Sequence, residues 1–293
     1  MPQYIRLIPR LDIKGPNLVK GVNLEGLRVM GKPERFARYY YENGADELLY
    51  MDIVASLYGR NNLLDIIKKT SKEIFIPLTV GGGLRNLGDI ETVLQAGADK
   101  VSLNTIAIRK PEFIKEAARK FGSSTITVSI EAKRKADGSY EAYIENGREQ
   151  TGVDAFEWAL HVEKLGAGEI LITSIDMEGT ACGFDLELTQ KISRSVQIPV
   201  IACGGAGNFD HIRDVIVKGK ADAVSVASML HYAFIEQYDF EDDFSSEGNI
   251  EFFKKRQESV NIQKITPIEI KKYLARHGIK CGYMMQESIE NEK

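Results

Sequence analysis

The segment from Gly97 to Thr105, GADKVSLNT, has three counterparts in the same chain, and their spacing constrains the fold more than any other feature. GADELLYMD begins at Gly44, GAGEILITS at Gly166 and GKADAVSVAS at Gly219. Gly44 to Gly97 and Gly166 to Gly219 are each 53 residues apart, while Gly44 to Gly166 and Gly97 to Gly219 are each 122 apart. One unit has been doubled and the pair doubled again, so the chain should fold as two similar halves.

Each copy follows a stretch with apolar residues at helical spacing, uses Gly to stop that helix, and enters an apolar run of strand length. Two further runs, IPLTVGGG and IPVIACGG, lie 122 residues apart by their prolines, Pro77 and Pro199. With YIRLIPRLD at the start and TITVSIEA midway, the count reaches eight strands alternating with amphipathic segments such as PEFIKEAARKF and FDHIRDVIVK. Near-continuous apolar strands alternating with helices define a parallel sheet covered by helices. Eight units in a fourfold pattern predict a closed (β/α)8 TIM barrel, made of two half-barrels and filling residues 1–280 as one domain. No G-x-G-x-x-G follows the first strand, which argues against an open dinucleotide-binding sheet.

A net charge of -4 lacks the basic surplus of a protein that grips nucleic acid. No apolar run is long enough to span a bilayer, and the first residues lack a secretory apolar core, so the expected location is cytoplasmic. Cys182, Cys203 and Cys281 have neither disulfide nor zinc spacing, and the four histidines have no evident triad or metal partners. Neither a metal nor a cofactor is expected.

In such a barrel the chemistry sits at the C-terminal strand ends. VGGGLRN (80–86) ends the third strand and ACGGAGN (202–208) the seventh. Glycines there let backbone N–H groups approach an anion, and the helix that follows adds its positive end. Asn104 and Thr105 end the fourth strand, and Ala227 and Ser228 the eighth. Two such grips on opposite sides of the mouth imply a long ligand with a phosphate at each end. Asp12 and Glu131 end strands one and five, facing each other midway between the grips, where they can serve as general acid and general base. Asp52 and Asp176, ending strands two and six, form a second symmetric pair suited to orienting loops.

Taken together, LVKGVNLEGLR, TVGGGLRN, GADKVSLNT, VSIEAKR, GAGEILITSID, GFD and IACGGAGN resemble the cyclase subunit of imidazole glycerol phosphate synthase over residues 4–234, resuming at IKKYLARHGI. The resemblance implies a lyase that combines ammonia, delivered by a partner glutaminase, with a bisphosphorylated ribulosyl-formimino aminoimidazole carboxamide ribotide. The products are imidazole glycerol phosphate and an aminoimidazole carboxamide ribotide, in histidine biosynthesis. It further implies catalysis by Asp12 and Glu131, and substrate binding by Lys20 in a loop that closes after strand one. Gly83, Asn104 and Thr105 match one phosphate site; Gly179, Gly205, Ala227 and Ser228 match the other, with Asp176 nearby. Arg6, Glu47, Lys100 and Glu169, at strand starts on the opposite face, match a salt-bridged gate for ammonia, and Asp99 falls on the face where the glutaminase docks.

Three departures stand against this pattern. Glu131 replaces an aspartate and is one methylene longer. Arg10 occupies a position usually held by a small residue; if it faces inward with Asp12, a guanidinium alters that carboxylate's proton chemistry. Residues 237–264 form an insertion at the active-site face, and 281–293 a polar tail. These departures raise an alternative: a cyclase-like partner that passes ammonia to a sugar amidotransferase making acetamidino groups for surface polysaccharide.

Overall fold

The structure is a computed structural model that describes residues 4–54, 63–237 and 262–282. Most of the insertion at 237–264 and of the tail at 281–293 lies outside them. Eight parallel strands close on themselves: β1 (Arg6–Lys14), β4 (Leu48–Asp52), β5 (Leu78–Gly81), β6 (Lys100–Leu103), β7 (Ile126–Arg134), β10 (Glu169–Ser174), β11 (Val200–Cys203) and β12 (Ala223–Val226). Closure is made by β12 pairing with β1, Arg6 opposite Ala223, and by β7 pairing with β10, Glu131 opposite Thr173. The expected (β/α)8 barrel is therefore the observed one. No helix among the described residues is long and apolar enough to cross a membrane.

The repeated tripeptide has a separate physical task at each position. Gly44, Gly97 and Gly166 take φ of 83°, 117° and 99°, the left-handed geometry that stops a helix without a Cβ penalty. The following alanines, Ala45, Ala98, Ala167 and Ala221, are buried between helix and barrel. The aspartate then turns back on a neighbouring strand: Asp46, Asp99 and Asp222 each accept from the backbone N–H of Leu7, Leu78 and Val200, all at 2.8 Å. A charge-assisted bond of this kind contributes about 1.5–3 kcal/mol and fixes strand register. The third copy reads Gly-Ala-Gly because a Cβ at Gly168 would lie 2.1 Å from the Ser123 carbonyl oxygen.

Alternation along the strands sorts their side chains into two cores. Outward residues such as Leu7, Leu11, Val101, Val128 and Ile170 pack under the helices. Inward residues Ile8, Leu49, Met51, Leu171, Ile201 and Cys203 fill the barrel itself. The inward hydroxyls of Ser102, Thr127, Ser129 and Ser225 are buried without a hydrogen-bond partner among the described residues.

Two strand pairs were not anticipated from the sequence. β2 (Asn17–Val22) and β3 (Glu25–Gly31) form an antiparallel hairpin continuing from β1, where a loop was expected. β8 (Tyr140–Ile144) and β9 (Glu149–Asp154) form another continuing from β7. The two occupy equivalent places in the two halves and cover the barrel mouth from opposite sides.

Candidate active site

The charged strand starts meet as expected at the base of the barrel. Arg6 lies 2.9 Å from Glu47 and 2.6 Å from Glu169; Lys100 lies 3.0 Å from Glu47 and 2.9 Å from Glu169. Cations and carboxylates alternate around a closed four-membered ring, each charge compensated on both sides. Thr79 donates to the remaining oxygen of Glu47 at 2.6 Å. Beside the ring, Asp99 lines a shallow cleft with Phe75, Pro77 and Gly97, and Phe75 is 81% exposed.

At the other end, VGGGLRN and ACGGAGN adopt matching geometry. Asn86 caps the helix at 87–95 by accepting from Asp89 N–H at 3.0 Å, and Asn208 caps the helix at 209–217 by accepting from His211 N–H at 2.9 Å. In the first grip a Cβ on Gly82 would lie 2.2 Å from the Asp52 carbonyl oxygen, so only glycine fits. Gly83, Asn104 and Thr105 line a cavity of about 250 Å³ that extends to Glu131. In the second grip Gly183 N–H donates to the Gly205 carbonyl at 2.8 Å, and a Cβ on Gly179 would meet the Gly21 carbonyl oxygen at 2.6 Å. Ala227 and Ser228 lead into the helix at 228–237, with Ser228 buried. Asp176 accepts from Arg134 N–H at 2.9 Å and Asp52 from Val54 N–H at 3.1 Å, so both carboxylates hold loop backbone.

Between the grips, Asp12 and Glu131 are both buried, at 4% and 3% exposure. Arg10 does face inward. Its Nε donates to Asp12 Oδ1 at 2.8 Å, and its Nη1 to Thr173 Oγ1 at 3.3 Å and to Cys203 Sγ at 3.5 Å. Burial opposes the guanidinium's charge, but Asp12, with Cys203 and Glu178, outweighs it and holds Arg10 well above its ordinary pKa. Glu131 accepts from Gly147 N–H at 2.8 Å. Burial pushes its carboxyl up to about 7, against the pull of Arg10 and the Gly147 N–H, with Asp12 adding to the rise. Cys203 is buried, and burial raises its thiol pKa.

Glu178, Glu145, Asn146 and Arg109, which contact or flank the expected site residues, escaped the sequence reading. Lys20, on the β2–β3 hairpin, forms a buried ion pair with Glu178 in the loop after β10, and Asn23 N–H donates to the Glu178 carbonyl at 2.7 Å. Burial works against the Lys20 charge, and Glu178 more than restores it, raising its pKa. On the other side Glu145 and Asn146 form the β8–β9 turn with φ of 55° and 58°, left-handed values that place Gly147 over Glu131. Arg109 bridges Glu145 at 3.2 Å and Glu149 at 3.1 Å at the rim of the same cavity. The Asn146-Gly147 pair is the one sequence signal that could have revealed this turn.

The assembled geometry defines a class: a closed (β/α)8 barrel with two glycine-rich loops across its mouth, two buried carboxylates on the opposite strands β1 and β7, and a charged ring closing its floor. The family model described as "Histidine biosynthesis protein" matches residues 6–236. The protein named imidazole glycerol phosphate synthase subunit HisF from Legionella pneumophila is 59% identical over 206 residues, covering 70% of this chain and 97% of its own length. Proteins of the same name from Alkaliphilus metalliredigens and Trichormus variabilis are 50% and 49% identical, each covering 78% of this chain and 90% of their own lengths. The chain belongs to the histidine biosynthesis protein family.

Proposed function

We propose that this protein is the ammonia-dependent cyclase subunit of imidazole glycerol phosphate synthase, acting with a glutaminase partner in the cytoplasm. The observation that carries this reading is the placement of buried Asp12 and Glu131 on β1 and β7, opposite strands of the closed barrel, each two strands from the Gly-rich loops that follow β5 and β11. The relatives' shared name supports it.

The bisphosphorylated ribotide lies across the mouth with one phosphate in each grip, and Lys20 closes over it on the β2–β3 hairpin. Ammonia enters through the ring of Arg6, Glu47, Lys100 and Glu169 and passes the hydroxyls of Thr127, Ser102 and Ser129, which face the barrel interior below Glu131. The glutaminase docks on the ring face, where exposed Phe75 supplies apolar area and Asp99 a charge. Asp12 and Glu131 move the protons of ring closure and of release of the aminoimidazole carboxamide ribotide.

Turnover of the bisphosphorylated formimino ribotide in ammonium salt at alkaline pH tests this, with Asp12→Asn as control. Imidazole glycerol phosphate should form and should vanish in the control. A folded protein that makes none would replace the cyclase reading with the second one, in which ammonia is passed on to a sugar amidotransferase. One observation favours that second reading: the Arg10 guanidinium occupies the top of the barrel interior, bonded to the very carboxylate the cyclase uses.

A further inference from the structure

A buried guanidinium touching Asp12 requires an explanation if the barrel is a cyclase. Arg10 is 1% exposed, the largest of the fully buried side chains among the described residues. Its contacts consume Nε on Asp12 and Nη1 on Thr173 and Cys203, side chains from β1, β10 and β11. Nη2 is buried and has no hydrogen-bond partner among the described residues. Buried donors are normally satisfied, and leaving one unmet costs more for a charged group than for a neutral one. The fixed fork of a guanidinium means that when Nε is anchored on Asp12, the direction of Nη2 is set as well.

The charges around it narrow what that donor can receive. Asp12 lies beside Arg10 on β1, Glu131 faces it from β7 and Glu178 from the loop after β10; Lys20, from the hairpin, is the other cation of the group. The donor therefore lies in the carboxylate cluster between the two glycine-rich loops, which a ligand spanning both loops would cross, and not in either loop. In the cyclase reaction the ammonia nitrogen must bond to the ketose carbonyl carbon of the ribulosyl moiety. As its lone pair forms the C–N bond, the carbonyl π pair moves onto oxygen, and a proton then passes from nitrogen to that oxygen to give a neutral carbinolamine. A preset donor aimed at an oxygen that gains charge stabilises such a step without reorganisation.

We propose that Arg10 is a substrate-facing catalytic residue: Nε anchors Asp12, and Nη2 receives the ketose oxygen as ammonia adds to its carbon. The proposal rests on the cyclase reading. It makes the family departure at Arg10 an addition to the acid–base pair and not a plug.

The test compares the full-length wild type with Arg10→Met, Arg10→Lys and Arg10→Ala in turnover of the bisphosphorylated formimino ribotide, supplied first with ammonium salt and then with glutamine and the glutaminase. Arg10→Met should lower kcat roughly 100-fold with both nitrogen sources, the usual effect of losing one such donor. Its KM should stay within about twofold, because the phosphates are held elsewhere. Guanidinium ion at millimolar concentration should restore part of the Arg10→Ala rate, and Arg10→Lys should remain impaired because one ammonium cannot make both contacts. Circular dichroism identifies any variant that fails to fold, and Arg10→Lys, which keeps the charge, then carries the comparison. A kcat for Arg10→Met within about threefold of wild type in ammonium would overturn the proposal. So would a loss confined to glutamine, which would make Arg10 part of the ammonia path. An inactive wild type would instead remove the cyclase reading and this proposal with it.

Discussion

Replacing Glu131 by Gln turns the burial of this side chain into a measurable pH dependence of stability. The folded protein holds the Glu131 proton up to about pH 7, whereas the ordinary value is 4.5. Stability associated with the protonated carboxyl is therefore fully present below about 4.5 and is lost as the pH rises through 7. The whole difference corresponds to about 3 kcal/mol, since each pKa unit is worth about 1.4. Glutamine keeps a carbonyl oxygen to accept from Gly147 N–H, as Glu131 Oε2 does at 2.8 Å, but never ionises. The Gln variant should match the wild type in acid and exceed it in alkali, the gap widening by about 2 kcal/mol between pH 5.5 and 8.5. Urea unfolding of both proteins across that range measures it. Parallel profiles would mean that the buried carboxylate is solvated or compensated in the folded state, and the argument from burial would fail.

Two other perturbations separate the floor of the barrel from its mouth. Lys100→Ala removes one of the two cations that each bond both Glu47 and Glu169; turnover with added ammonium should persist while coupling to glutamine falls, and equal loss with both nitrogen sources would make the ring a structural plug. With a thiol reagent in native buffer, exposed Cys182 should react rapidly, whereas buried Cys203, whose thiol pKa is raised, should react only on unfolding; rapid labelling of Cys203 would show that the mouth opens past Arg10.

The barrel was legible because its defining signals are local. Helix-stopping glycine, buried alanine and strand-locking aspartate act within a few residues of one another, so their repetition survives in the sequence as spacing. The ring of Arg6, Glu47, Lys100 and Glu169 and the pair of Asp12 and Glu131 followed from strand order and alternation. Arg10 was legible as an intruder for the same reason, two residues from Asp12 on one strand. Glu178 and Glu145 were not, because their roles depend on where the hairpins fold. The β2–β3 strands are short and carry register shifts, which obscures the alternation that marks a strand. The Glu145–Asn146 turn requires left-handed backbone at two non-glycine residues, a conformation that their side chains disfavour and that the surrounding contacts impose.

The paired hairpins also bear on direction. A ligand with a phosphate at each end is nearly a palindrome, and a mouth built from two related half-barrels is nearly a dyad, so grips alone would admit the molecule either way round. The two covers differ in charge, and that difference would break the degeneracy. One brings the ammonium of Lys20 over the mouth beside Glu178, and the other brings Glu145 and the backbone N–H of Gly147 over the opposite side. On the proposed cyclase reading, a substrate entering backwards would present its ends to the wrong cover and its reacting carbon to the wrong carboxylate. Duplication supplied two equivalent glycine-rich loops, and the divergence of the two hairpins gives the mouth a left and a right.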